Sequence, residues 1–325
     1  MKKLGLSAML SALLVFAAAC GGSSGTTEKP QGNEGGNDGT SSAEVVKIGT
    51  LHPLSGGLAL EGQEMRDAVR LAIEEANEAG GIQSLGGAKI ELVESDHEGS
   101  PEKGVSEVQN LERAGVLGII GTYASGVALP ATQEAERSGI PFVIDIASAN
   151  QITERGFKYT FRLQPTATSF SGDFLKYYDE LNKMTDTPLK TAVLVHEDSV
   201  FGTSVAAAVE EKAAEHGLEV LATLPHAAST ADLSSTINKI NSLKPDMVVV
   251  TTYLRDGVML VDGLHNASYK PKAIVGVANG AFSNASFITE SQSMNNLIMD
   301  VNYTINPQSE MANKVKIAFK EKYNI

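Results

Sequence analysis

The stretch VLGIIGTYASGVALPATQEAERSGIPFV, residues 116–143, reads as strand, tight turn, helix and second strand. An apolar run at 117–120 stops at Gly121, and Thr122, Tyr123, Ala124 and Ser125 make the turn. Residues 127–137 carry helical spacing, with Leu129, Thr132 and Ala135 on one face and Gln133, Glu134 and Arg137 off it. Gly139 and Pro141 break the helix before Phe142, Val143 and Ile144 begin the next strand. A helix that starts at the carboxyl end of a strand presents free N–H groups and a positive dipole end. That geometry cradles a small anion such as a carboxylate, and Thr122 and Ser125 add hydroxyls to it. The plainer reading, in which Ser125 only caps the helix, stays open at this point.

The same alternation runs outward in both directions. Before the central stretch come a strand at 45–51, an amphipathic helix at 60–79 ended by Gly80 and Gly81, a strand at 89–94, and a helix at 101–114 entered through Pro101. After an irregular segment at 146–156 and a strand at 159–163, the pattern restarts. Helices are expected at 170–181, 203–216, 233–243, 256–265 and 309–323, with strands at 191–196, 218–224, 247–252, 273–277 and 297–303. The last of these strands reads as crossing back to the first half. Two runs of alternating strand and helix predict two α/β lobes, each a parallel sheet covered by helices, with a cleft between them. In such sheets ligands sit at the carboxyl ends of the strands.

A net charge of −13 over 325 residues argues against nucleic acid as a partner, since phosphate contacts need clustered Lys and Arg. Lys2 and Lys3, an apolar run at 4–16 and the small residues Ala17, Ala18 and Ala19 precede Cys20, the only cysteine. This resembles a bacterial lipoprotein signal, with Cys20 as the lipidated first residue of the mature protein. Ala17 stands where such signals usually carry Leu. Residues 21–43 are rich in Gly, Ser, Thr, Asn and Glu, and read as a flexible tether. The expected division is therefore 1–20 signal and lipobox, 21–43 tether, 44–163 first lobe, 164–299 second lobe and 300–325 return segment.

Enzyme chemistry finds little support. The chain has no G-x-S-x-G, P-loop or G-x-G-x-x-G motif, and neither His97-Glu98 nor His196-Glu197 has the second His of a zinc helix. No cofactor or metal is implied. Hydroxyl, aromatic and backbone N–H groups at strand ends suit holding a small polar molecule rather than converting it.

Residues 47–82, 86–96, 119–143 and 152–166, in this order and spacing, resemble the substrate-binding lipoproteins of ABC importers of the branched-chain amino-acid class, which have the type I periplasmic-binding-protein fold. The resemblance implies an extracytoplasmic, lipid-anchored monomer that captures an amino acid or related carboxylate or amide and delivers it to an ABC permease. The alternative within the same fold is the sensing module of a receptor. It further implies that Ser125, with Thr122, Tyr123 and Gly126 of its turn, and Ser148, with Ala147, hold the ligand carboxylate. Ser148 lies ahead of Thr153-Glu154-Arg155-Gly156, as the family pattern requires. Phe201 and Tyr253 would close over the ligand from the second lobe. The family's amino-acid binders place an acid after the strand matching 273–277, whereas this chain has Gly276-Val277-Ala278-Asn279-Gly280-Ala281. Asn279 accepts a hydrogen bond but supplies no counter-charge, and Asp256 or Glu197 could substitute. Family members also continue past the helix at 309–323, so the chain reads as ending early at Ile325.

Overall fold

Strand β1 (Val46–His52) opens the fold in the computed structural model, which describes residues 45–228, 230–291, 298–303 and 306–324. The signal-like segment, Cys20 and the tether lie outside the described residues. Helix α1 (Ala59–Glu78) leads to β2 (Ile90–Asp96), and α2 (Pro101–Ala114) to β3 (Ile119–Gly121). Helix α2 shows why these segments start and stop where they do. The Ser100 hydroxyl accepts the Lys103 N–H at 3.2 Å, Pro101 fills the first turn, and Gly115 ends the helix at φ 76°. Helix α3 (Ser125–Ser138), β4 (Phe142–Ile144) and β5 (Thr160–Arg162) complete the first lobe.

The second lobe follows as α4 (Ala167–Lys183), β6 (Thr191–Glu197), α5 (Val200–Ala213), β7 (Glu219–His226), α6 (Ser234–Leu243), β8 (Met247–Thr251), α7 (Leu254–Asn266), β9 (Ala273–Val277), α8 (Ala285–Glu290) and β10 (Ile298–Val301). Helix α9 (Glu310–Tyr323) comes last. The sheets are parallel throughout, ordered β2-β1-β3-β4-β5 and β10-β9-β8-β6-β7.

Strands β6, β8 and β9 are buried on both faces, which explains their nearly unbroken apolar sequence. Successive side chains alternate between two cores. Leu194, Val249 and Val275 join Phe170, Phe174, Val205 and Val209 under α4 and α5. Val193, Val195, Val248, Val250 and Ile274 join Ile240, Leu260 and Leu264 under α6 and α7. In the first lobe Leu51, Ile119 and Phe142 pack against Val108 and Leu111 of α2 and Ala128 and Ala131 of α3.

Strand β10 pairs with β9 at the edge of the second sheet. Contact with the first lobe resumes at α9, where the Tyr323 hydroxyl donates to the Asp67 carbonyl at 3.1 Å and Lys314 meets Glu75 at 3.3 Å. Helix α8 has no counterpart among the sequence expectations. It is six residues long and starts where the Asn284 side-chain oxygen Oδ1 accepts the Ser286 N–H at 2.9 Å.

Strand order locates the crevice in each lobe. Strand β1 has β2 on one side and β3 on the other, so the chain after β1 and after β3 leaves the sheet in opposite directions. Strand β6, between β7 and β8, makes the same switch in the second lobe.

Candidate functional site

A cavity of about 580 Å³ lies between the strand ends of the two lobes. That volume suits a small metabolite. The first lobe lines it with Tyr123, Ile146 and Ser148 from the ends of β3 and β4, and with Glu61, Glu64, Met65 and Ala68 from α1. The second lobe contributes Phe201, Tyr253, Ala278, Asn279 and Gly280, together with Ser283–Ser286.

Of the nine ligand-contact candidates read from the sequence, Tyr123, Ser148, Phe201, Tyr253 and Asn279 line this cavity, and Thr122, Ser125, Gly126 and Ala147 do not. The second group frames the first. The buried Ser125 hydroxyl accepts the Ala149 N–H at 3.2 Å, tying the turn after β3 to the loop that carries Ser148. The Ala147 N–H donates to the Thr122 carbonyl at 3.2 Å. The Thr122 hydroxyl meets His97 Nε2 at 2.6 Å, while His97 Nδ1 accepts the Gly99 N–H at 3.0 Å. An accepting Nδ1 places the ring proton on Nε2, which therefore donates to Thr122. Burial, with His52 nearby, pushes the His97 pKa down to about 4, so the ring is neutral near pH 7.

Three aromatic rings cross the lobe boundary in series. Tyr253 sits 5.4 Å from Tyr123 and 5.2 Å from Phe201 between ring centroids. Gly280 backs Tyr123 closely, since a Cβ at position 280 would lie 2.3 Å from the Tyr123 hydroxyl. Further along the boundary, the Ser204 hydroxyl donates to Gln151 Oε1 at 2.7 Å, and Gly126 faces Ser199. The Ser148, Tyr123 and Tyr253 hydroxyls make no protein hydrogen bond among the described residues; the three residues are more than nine-tenths buried overall and line the cavity. Burial raises the pKa of both tyrosines, so they stay protonated donors. The Asn279 amide is turned inward, with Nδ2 donating to the Val250 carbonyl at 3.1 Å and Oδ1 accepting the Ala281 N–H at 2.6 Å.

The substitute acids proposed from the sequence lie off the cavity. Glu197 is buried and accepts the Ser199 hydroxyl at 2.6 Å, and Asp256 packs 3.9 Å from His226. The carboxylates that do line it, Glu61 and Glu64, stand one turn apart near the start of α1. Burial raises the pKa of both. For Glu61 the nearby Glu64 and Glu290 add to the rise, and for Glu64 Asp67 does. From its apolar spacing alone this helix is expected only as amphipathic cover of the sheet. The available signal was a pair of acids at spacing i, i+3, directly after a turn-rich strand-end loop. Among the described residues no group of three or more His, Cys, Asp or Glu could hold a metal ion, and no helix is long and apolar enough to cross a membrane.

The geometry has close relatives. The chain is 34% identical over 247 residues to the Leu/Ile/Val-binding protein homolog 8 of Brucella abortus (strain 2308), covering 74% of this chain and 60% of that one. It is 36% identical over 241 residues to homolog 7 of Brucella suis biovar 1 (strain 1330), covering 72% and 59%. The chain thus spans about 60% of the length of these curated relatives. Two solved folds superpose with a TM-score of 0.75. One is the branched-chain amino acid transporter substrate binding protein LivJ from Streptococcus pneumoniae str. Canada MDR_19A in complex with isoleucine, at 24% identity over 87% of this chain and 78% of that one. The other is an ABC transporter solute binding protein from R. palustris in complex with benzoate, at 22% identity over 86% and 75%. The family profile described as periplasmic binding protein matches residues 45–324. The chain therefore belongs to the periplasmic binding protein family.

Proposed function

We propose that the protein is the extracytoplasmic solute-binding component of an ABC importer, capturing a small carboxylate-bearing ligand in the interlobe cavity. The observation that carries this reading is the set of Ser148, Tyr123 and Tyr253 side chains that line one cavity from two lobes, with hydroxyls that make no protein hydrogen bond among the described residues. Hydroxyls that line a cavity without a protein partner are donors from which a ligand carboxylate can accept. The Leu/Ile/Val-binding names of the curated relatives favour a branched-chain or similar amino acid.

Ligand docks first on Ser148 and Tyr123, with Ser125 holding their loops in register. Phe201 and Tyr253 then cover it from the second lobe as the lobes rotate about the connections after β5 and β10. Closure desolvates the ligand and creates the surface that a permease recognises. The signal-like segment with Cys20 and the tether at 21–43 would hold the domain as a lipid-anchored monomer at the outer face of the membrane.

Calorimetric titration with Leu, Ile, Val, the oxo-acid of Leu, benzoate and a short amide tests the reading. One-to-one binding that the Ser148→Ala and Tyr253→Ala changes weaken supports it. Binding indifferent to both changes would place the ligand elsewhere and refute it.

A further inference from the structure

The cavity is electrostatically unbalanced. Glu61 and Glu64 are its only charged lining side chains among the described residues, and no Lys, Arg or His shares the lining. Glu61 is 8% exposed. Its carboxylate is bonded to its own backbone N–H and faces Asn284 Nδ2 of the second lobe at 3.5 Å. Glu64 has no hydrogen bond or ion pair to protein among the described residues. Arg66, the nearest cation in sequence, is engaged by Asp67 at 2.7 Å and Glu94 at 3.4 Å. The negative charge of Glu290 in α8 acts on Glu61 in the same sense. Taking carboxylates out of water without a cation is costly, and two of them side by side repel. The same cavity is lined by the hydroxyls of Ser148, Tyr123 and Tyr253, donors from which an anion can accept. One end of the cavity therefore lacks a positive charge, and the lining hydroxyls can serve a negative one.

We infer that the ligand carries both an ammonium and a carboxylate, and that Glu61 and Glu64 of the first lobe are the ammonium's counter-charge. This rests on the cavity being the ligand site, as proposed above. The assignment resolves the absence of an acid after β9, because the counter-charge comes from α1 instead. A carboxylate without an amine, such as an oxo-acid or benzoate, would meet two carboxylates with no compensating charge and be rejected. Asn284 gives the same end of the cavity a contact from the second lobe. Closing the lobes brings its amide to Glu61 and confines the ammonium between them.

The test is a titration of the purified 325-residue chain with the twenty proteinogenic amino acids and the oxo-acids of Leu, Ile and Val. It is repeated on Glu61→Gln, Glu64→Gln and the double variant. Expected is binding of at least one amino acid, with its oxo-acid weaker by about a hundredfold. Each single substitution should weaken the amino acid by roughly tenfold and the double by more, as for a lost charge-assisted hydrogen bond. Unchanged affinity in the double variant, with Ser148→Ala still impaired, would overturn the counter-charge assignment and leave the cavity as the binding site. Preference of the unaltered chain for an oxo-acid would overturn it as well, without relying on any variant. Amino-acid binding unaffected by Ser148→Ala, Tyr253→Ala and the double glutamine variant alike would overturn the underlying reading of the cavity together with the inference.

Discussion

The Ser125 hydroxyl accepts the backbone N–H of Ala149 at 3.2 Å, so the turn after β3 and the loop after β4 are held together by one buried hydrogen bond. Ser148, beside that bond, has a hydroxyl free to face the cavity. The two serines should therefore respond differently to the same change. Ser125→Ala orphans a buried N–H and should cost about 1–3 kcal/mol of stability, with affinity falling as Ser148 loses its position. Ser148→Ala removes a hydroxyl with no protein partner and should leave stability nearly unchanged while weakening ligand by about tenfold. Urea denaturation and calorimetry on the two variants separate the roles. Equal stability losses would refute the distinction.

Tyr253 touches a ring from each lobe. Tyr253→Ala removes both contacts, each worth about 0.5–1.5 kcal/mol beyond area burial, and should raise the ligand off-rate. Tyr253→Phe keeps the rings and should retain thermal stability while losing the affinity carried by the hydroxyl. The sequence has no Trp, so stopped-flow tyrosine emission can report both rates without interference.

Gly280 lies against the Tyr123 hydroxyl across the lobe boundary, too near for a side chain. Gly280→Ala should hold the lobes apart, lower affinity and enlarge the radius of gyration in the presence of ligand, as read by small-angle scattering. Adding Tyr123→Phe removes the obstructing oxygen and should restore part of the closure. Absence of any rescue would place the effect of Gly280 elsewhere.

Asp300 tests the cost of a buried carboxylate away from the cavity. Burial raises its pKa from 3.8 to about 6, and Oδ1 has no partner among the described residues. A carboxyl whose folded value is raised favours the fold fully below its unfolded value, and that contribution is lost as pH rises through the folded one. The loss should therefore fall between about pH 4 and pH 6 and amount to about 3 kcal/mol. Asp300→Asn should be stabilising at pH 8, neutral at pH 4, and should flatten the stability profile between them.

Affinity should depend on pH through α1. Burial raises the pKa of both Glu61 and Glu64, so acidification neutralises the counter-charge, and binding of an amino acid should weaken as pH falls and level off above the raised values. The titratable groups coupled electrostatically to Glu61 are Glu64 on its own helix, Glu290 of α8 and the hydroxyls of Tyr123 and Tyr253. All are acids, so none of them reverses the sign. Calorimetry in buffers of different ionisation enthalpy, on the acid side where binding weakens, should show proton release on binding. Glu61→Gln should diminish it.

Residues 116–143 already carried the strand–turn–helix–strand unit, because an apolar run, a small-residue turn and a 3.6-residue period are local properties of the chain. The alternation of strand and helix along both halves likewise predicted parallel sheets covered on both faces. Those signals determined the two α/β lobes and pointed to the strand-end loops bearing Tyr123, Ser148, Phe201 and Tyr253. They could not separate Ser125 from Ser148, since the inward and cavity-facing hydroxyls differ only in which loop packs beside them. The acids followed the same logic. Asp256 and Glu197 sit at strand ends in the sequence, yet the second lobe packs them behind its own loops. Glu61 and Glu64 read as the solvated face of an amphipathic helix until Asn284, 223 residues further along the chain, is folded against that face. Local periodicity therefore determined the elements and their order. Which polar groups face the cavity was decided only by tertiary packing, because burial and charge balance arise from neighbours remote in the chain.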